Sequence, residues 1–402
     1  MKKNKNQIVF PRHMGWNHFY RPIVALIAFF KHYKRKGYLK MKKGESYIVL
    51  SNHQTGLDGI LIPYSFQRHL YGLMTDSFLS KGWVAKMFQH QLGMIGKHKG
   101  AVDIKANMDM MRCIREGGSL LIFPEGNRSY AEFQFTMTDG FAKFIRFFKK
   151  PIVLFNFCGG TGVDPRFAKS RRKGPFYGEI KRILQPEEYA NWSDEELYKV
   201  IQENLRVYDS ESGHLYKSKE RAEYLERMFF VCPKCGKVEC LYSEGNYIKC
   251  KECGFEAEYT EDLHLIPNDK EVKINKMLDW FNYQIRYINN LEIKDGVIFS
   301  DEDVELYATE IFKKRRLVTK GKLELYKDKM IVNDFVIDIK DIKNASPTGT
   351  RKLGFTVEDQ DYFIIGSERF NSLKYVFMFN KLETKMKESG VDIYYSLEER
   401  KE

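Results

Sequence analysis

Between about residues 46 and 160, short apolar runs alternate with stretches of helical period. The runs occupy 47–50, 120–123 and 152–157, and the stretches between them include 108–115 and 140–148. A continuous apolar run this short is a strand buried on both faces, and strands separated by helices pair in parallel. This pattern predicts an α/β domain with a mixed, largely parallel sheet. Ser193 followed by Glu196 is a capping-box signature and predicts a helix from there to about residue 208. A charged helix over 217–228 is expected as the exit from this domain.

The second half of the chain has a different rhythm. Cys232-x2-Cys235 and Cys250-x2-Cys253 are separated by fourteen residues, and a glycine follows each pair (Gly236 and Gly254). Two such knuckles suit a closed tetrahedral site, so a structural zinc ribbon is expected over 229–265. An iron–sulfur centre or a redox pair are the alternatives. Cys240 reads as a spectator, and Cys113 and Cys158 as small core residues. A helical linker over 266–299 carries Ile274, Met277, Leu278, Phe281, Ile285 and Ile288 on one face. From 300 to 392 a β-rich domain is expected, with strands near 322–326, 330–332, 335–339, 354–357 and 362–365 and a closing helix over 372–386. Strands followed by one closing helix resemble a pleckstrin-homology-like barrel.

Charge is distributed unevenly. The net value is +12, but residues 1–150 hold 25 Lys/Arg against 9 Asp/Glu, and the remainder is slightly acidic. A positive field of this kind suits phosphate groups or an anionic surface. Within 1–43, Trp16, Phe19, Tyr20, Ile23, Val24, Ile27 and Phe30 recur at helical spacing, and seven Lys/Arg follow from Lys31 to Lys43. Aromatics beside a cationic cluster are the pattern of an amphipathic helix lying in a membrane interface. No apolar run reaches the roughly 20 residues of a membrane-spanning helix. No small-residue cleavage site follows 23–30, so a signal peptide is not expected. Seven cysteines in paired spacing fit a reducing compartment. The expected location is the cytoplasmic face of the cell membrane, peripherally bound.

Two motifs carry chemistry. Asn52-His53-Gln54-Thr55-Gly56-Leu57-Asp58 follows the first apolar run. On a regular helix, residues five apart lie about 140° apart, so a turn must bring Asp58 back to the His53 ring. A neutral imidazole is the natural base near neutral pH, and a carboxylate on its other nitrogen fixes the tautomer. Alone, this spacing is common, and Asp58 could equally cap a helix. Phe123-Pro124-Glu125-Gly126-Asn127-Arg128-Ser129 follows the second run. Glu125 can accept hydrogen bonds from hydroxyls, Gly126 lets backbone approach a ligand, and Arg128 offers a planar fork for phosphate.

Together, and 72 residues apart from His53 to Glu125, these motifs resemble the lysophosphatidic acid (1-acylglycerol-3-phosphate) acyltransferase family of the glycerolipid acyltransferases. The resemblance covers about residues 40–210 and makes 44–215 the acyltransferase domain. It implies His53 as base and Asp58 as its partner, with Glu125, Gly126, Asn127 and Arg128 binding the acceptor. Asn127 replaces the family's usual threonine. The family's intermediate block supplies an arginine for the acceptor phosphate; here Gly96-Lys97-His98-Lys99 stands there, so Lys97 or Lys99 must substitute. The implied reaction moves a fatty acyl group from acyl carrier protein or coenzyme A to a lysophospholipid hydroxyl, in phospholipid biosynthesis. Its partners would be the lipid substrate, a membrane surface and, as one donor, acyl carrier protein.

The competing reading is a non-catalytic lipid- or protein-binding protein on the same fold. A nucleic-acid role is disfavoured because the ribbon mixes Glu239, Glu244, Glu252, Glu256 and Glu258 with its lysines. Lys313, Lys314, Arg315 and Arg316 form a cationic run that could touch anionic headgroups or simply face solvent.

Overall fold

The computed structural model describes residues 14–75, 83, 89, 91–97, 103–134, 136–138, 140–309, 315–358 and 360–387. Lys99, Lys313, Lys314 and the Trp16 side chain lie outside the described residues. The chain divides into two compact units. The first comprises Met1–Ser129, Met137–Val163 and Pro175–Asp209, and the second comprises Tyr130–Thr136, Asp164–Gly174 and Ser210–Glu402.

The first unit is built on strands β1 (Lys34–Lys36), β2 (Ile48–Ser51), β3 (Leu70–Thr75), β4 (Ile95–Lys97), β5 (Ser119–Ile122), β6 (Ile152–Cys158) and β7 (Tyr177–Leu184). They lie in the order β1-β7-β6-β2-β5-β3-β4. From β6 to β4 every pair is parallel, β7 runs antiparallel to β6, and β1 is parallel to β7. The expected mixed, largely parallel sheet is therefore present. Its helices are α1 (Met14–Phe30), α2 (Asp58–Leu61), α3 (Ile104–Arg115), α4 (Phe141–Phe147), α5 (Gly160–Val163), α6 (Pro186–Tyr189) and α7 (Asp194–Leu205).

Burial explains why the apolar runs became the central strands. Every residue of β2, β5 and β6 is buried. One sheet face supplies Ile48, Leu50, Leu120, Ile122, Ile152 and Leu154 to a core shared with Met110 and Cys113 of α3, Ile145 of α4 and Leu197, Ile201 and Leu205 of α7. The capping box at α7 is complete: the Ser193 hydroxyl accepts from Glu196 N–H at 3.1 Å, and the Glu196 carboxylate accepts from Ser193 N–H at 2.6 Å. Helix α3 begins at Ile104 rather than near residue 108 because the Asp103 side chain accepts from Ala106 N–H and caps it there.

Within the basic stretch after α1, Lys34–Lys36 pairs with Tyr177, Gly178 and Glu179 as an edge strand. One expectation is corrected. The helix expected over 217–228 is absent; that segment runs as turns ending in a 3-10 turn, Leu225–Arg227. Its backbone groups are taken by the neighbouring sheet. Ala222 N–H donates to Gly245 O, Tyr224 N–H donates to the Ser243 hydroxyl, and Tyr224 sits at φ 72°, which ends any helix.

In the second unit, β8 (Leu241–Glu244), β9 (Tyr247–Cys250), β10 (Glu256–Tyr259) and β11 (Leu265–Pro267) form an antiparallel sheet ordered β11-β10-β9-β8. Helix α8 (Met277–Asn290) packs on the segment before the first cysteine pair through fully buried Trp280, whose ring stacks on Phe229 at 4.4 Å and whose N–H donates to Val231 O. Gln284, also fully buried, accepts from Phe230 N–H and donates to Met228 O. The remaining strands are β12 (Phe299–Thr309), β13 (Arg316–Leu325), β14 (Lys329–Val332), β15 (Phe335–Asp338), β16 (Ile342–Thr348), β17 (Lys352–Val357) and β18 (Gln360–Ile365). They are antiparallel in the order β15-β14-β13-β12-β18-β17-β16, and helix α9 (Ser372–Lys387) packs against β16 and β17.

Candidate active site and thiol cluster

Strands β2, β5, β3 and β4 run parallel, so their carboxyl ends open on one edge of the sheet, the usual place for an α/β site. The loop after β2 carries His53, the loop after β5 carries Glu125, and β4 ends at Lys97. Because β2 and β5 are adjacent, the first two loops emerge side by side. Lys97 stands three strand spacings from β2, roughly 14 Å across the sheet.

The turn required by the His-x4-Asp spacing is present. Asp58 is the first residue of α2 and is fully buried. Its Oδ2 accepts from Gln54 N–H at 2.6 Å and Thr55 N–H at 2.9 Å, and its Oδ1 accepts from the Thr55 hydroxyl. The same Oδ2 lies 2.9 Å from His53 Nδ1. An ionised carboxylate only accepts, so Nδ1 carries the proton and Nε2 presents a lone pair. The His53 side chain is 24% exposed, and its ring stacks on Phe123 at 4.3 Å. One ring nitrogen is thus fixed on a buried carboxylate, and the imidazole remains accessible to a reactant.

The second motif is tied to the first through backbone. Ser129 N–H donates to His53 O at 2.7 Å, and Arg128 Nε donates to Gln54 O at 3.2 Å. Gly126 takes φ 65°, which only glycine adopts without strain, and turns the chain so that Glu125 and Asn127 are both buried. Gly56 leaves space beside the guanidinium: a Cβ there would stand 3.9 Å from Arg128 Nη1. His53, Asp58, Glu125, Gly126, Asn127 and Arg128 are therefore brought to one place. Lys97 is on the same edge but three strands away, and burial lowers its ammonium pKa while Asp103 opposes that shift.

The sequence assigns no role to some supporting residues. The Asn52 side chain donates to Phe157 O at 2.9 Å and accepts from Phe157 N–H at 2.8 Å, so it pairs with β6 as a backbone unit would. Gln54 Oε1 accepts from Gly160 N–H at 2.9 Å. Fully buried Asp209, 155 positions after Gln54, accepts from Gly159 N–H at 2.6 Å and from Thr161 N–H at 3.1 Å. The glycine cluster 159–162 could have indicated a tight turn, but nothing local names Asp209 as its partner.

In the second unit, the thiols of Cys232, Cys235, Cys250 and Cys253 lie within 4.8 Å of one another. Cys232–Cys253 are 3.7 Å apart and Cys235–Cys250 are 3.9 Å apart. A tetrahedron with zinc–sulfur bonds of about 2.3 Å has edges of about 3.8 Å, so the cluster fits a metal of that size. Cys240 lies 3.5 Å from Cys250 Sγ but donates to Lys237 O, outside the four.

Residues 32–155 match the family model described as Acyltransferase. Among solved structures, the chain is similar to the 1-acyl-sn-glycerophosphate (LPA) acyltransferase PlsC from Thermotoga maritima. That similarity has 19% identity and a TM-score of 0.38, covering 48% of this chain and 85% of that one. No curated protein sequence matches the chain significantly. Among the described residues, no helix is long and apolar enough to cross a membrane.

Proposed function

We propose that the chain transfers a fatty acyl group from an acyl thioester, carried by acyl carrier protein or coenzyme A, to the hydroxyl of a lysophospholipid such as lysophosphatidate. The observation that carries this reading is the His53–Asp58 pair at 2.9 Å, set in the same place as the Phe123–Ser129 motif. The acceptor hydroxyl gives its proton to His53 Nε2 as its oxygen attacks the thioester carbon. The imidazolium that forms is stabilised by buried Asp58. When the tetrahedral intermediate collapses, the carbon–sulfur bond breaks and the proton on Nε2 passes to the leaving thiolate. A base of this kind supplies about 10²–10⁴ in rate. Glu125, Gly126 and Asn127 are assigned to binding the acceptor, with Glu125 on its hydroxyls, and Arg128 with Lys97 or Lys99 to its phosphate. A panel of lysophospholipid acceptors, each offered with acyl-coenzyme A and acyl-carrier-protein donors and read by mass spectrometry, tests this. A diacyl product from at least one pair is expected; none from any pair would favour a non-catalytic binder.

The same proposal places the enzyme peripherally on the cytoplasmic face of the membrane, with α1 as the contact. Tyr20 bonds His69 Nδ1 at 2.6 Å, and Val24 and Ala28 are buried, so that face holds α1 on its unit. On the opposite face Phe19, Ile23, Leu26, Phe29 and Phe30 are 49–73% exposed. Arg35, stacked on Tyr38 and Tyr64, belongs to the cationic strand that follows. Apolar rings beside cations suit anionic lipid. Replacing those five side chains with serine is expected to move the protein from sedimented anionic liposomes to the supernatant. Deleting residues 1–30 is expected to do the same, and unchanged sedimentation of the folded serine variant would refute the assignment.

For the second unit, the proposal is a structural zinc held by Cys232, Cys235, Cys250 and Cys253, and a pleckstrin-homology-like barrel over 300–392. The barrel reading is supported by a first strand, β12, that pairs with both the second and the last strands, and by the closing helix α9.

A further inference from the structure

The loop that presents His53 is clasped from behind at two points. Asn52 is fixed to Phe157 in β6, and Gln54 is fixed to Gly160 in the turn after β6. Gln54 then gives its own backbone N–H to Asp58 Oδ2, the oxygen that faces His53 Nδ1. Any displacement of Gln54 is therefore felt at the pair. What holds the turn at 159–161 in place is a carboxylate on a distant part of the chain.

Asp209 accepts from Gly159 N–H, Thr161 N–H and the Thr161 hydroxyl, and so holds the turn whose Gly160 N–H donates to Gln54 Oε1. Thr161, Gln54 and Thr55 are all buried. The turn leaves no slack: a Cβ on Gly160 would stand 2.5 Å from Gln54 Oε1 and 2.9 Å from the Thr55 methyl. Successive backbone N–H groups in a glycine turn are ordinarily suited to a ligand's phosphate. Here an internal carboxylate takes them, so the turn serves the neighbouring loop rather than an anion from solution. The next residue is anchored as well. Ser210 N–H and hydroxyl both donate to the Glu132 carboxylate, at 2.8 and 2.5 Å.

We infer that Asp209 is a positioning residue that acts through Gln54 to hold the His53–Asp58 pair in its reactive geometry, an inference that rests on the acyltransferase reading above. Burial raises the Asp209 carboxyl pKa, and the Thr161, Gly159 and Gln54 groups around it oppose that shift. They suit the ionised form, which offers only acceptors. Asp209→Asn would turn one acceptor into a donor that faces a backbone N–H or the Thr161 hydroxyl.

The test compares Asp209→Asn, Gln54→Met and the double variant in the full chain. Two readouts are used: steady-state kinetics, and the ring resonances of His53 in histidine-labelled protein. Each single variant is expected to lower kcat by about 10- to 100-fold, the scale of a small misplacement of reacting groups. KM for both substrates should stay within about twofold. The double variant is expected to be no slower than the slower single one, because both break one chain of contacts. The His53 ring signals should shift in each. Should Asp209→Asn fail to fold, Gln54→Met and Thr161→Val carry the same test. A folded variant with wild-type kcat and unmoved His53 signals would overturn the inference, as would multiplicative losses in the double. The functional reading fails separately, if the wild-type protein transfers no acyl group; the His53 signals still judge the role of Asp209.

Discussion

His53→Ala is expected to give a folded protein with no detectable acyl transfer. The lost base alone is worth about 10²–10⁴ in rate. The substitution also removes the group assigned to return a proton to the thiolate. Stability should change little, because the ring is partly exposed and its apolar contact is one face against Phe123. Asp58→Asn should behave differently. The carboxylate is fully buried and accepts from Gln54 N–H, Thr55 N–H, the Thr55 hydroxyl and His53. An amide cannot accept from all of them, and one unsatisfied buried donor costs about 1–3 kcal/mol. Asp58→Asn should therefore lose both activity and several degrees of Tm. Transfer followed by mass spectrometry, with thermal unfolding by circular dichroism, separates the two variants. Turnover by folded His53→Ala would remove the imidazole from the mechanism.

The contrast between these two residues shows what a sequence can carry. That a turn must lie between His53 and Asp58 follows from helix geometry alone, and the structure supplies it with two N–H groups and a hydroxyl of the intervening residues. The central strands were equally legible, since β2, β5 and β6 are buried along their whole length and are apolar but for Ser51, Ser119 and Asn156. Edge strand β1 was not. Its three residues are all exposed cations, and only backbone pairing with β7 makes it a strand. The absent helix at 217–228 failed for a related reason. Its composition permits a helix, but Arg221 donates to Tyr259 O and Glu258, and Ala222 to Gly245 O, contacts with residues 23 to 38 positions away. Asp209 is the extreme case. A buried aspartate and a glycine turn 48 positions away show no common pattern until the fold joins them.

Removing zinc should have the largest effect on the fold of the second unit. The four thiols sit on two knuckles, and the strands between and after them are short. A module of this size buries too little apolar surface to fold alone, and structural zinc in such modules contributes about 10–16 kcal/mol near neutral pH. Loss of the metal would not stop at the knuckles. Val231 and Phe230, immediately before Cys232, hold Trp280 and Gln284 of α8, and Glu239 between the knuckles pairs with buried Lys374 of α9. Chelation, or Cys235→Ser, is therefore expected to expose Trp280 and shift its fluorescence to the red, with release of one zinc per chain. Because bound thiols must be deprotonated, the metal should leave more readily as pH falls. Unchanged emission and unfolding after complete metal removal would refute the structural role.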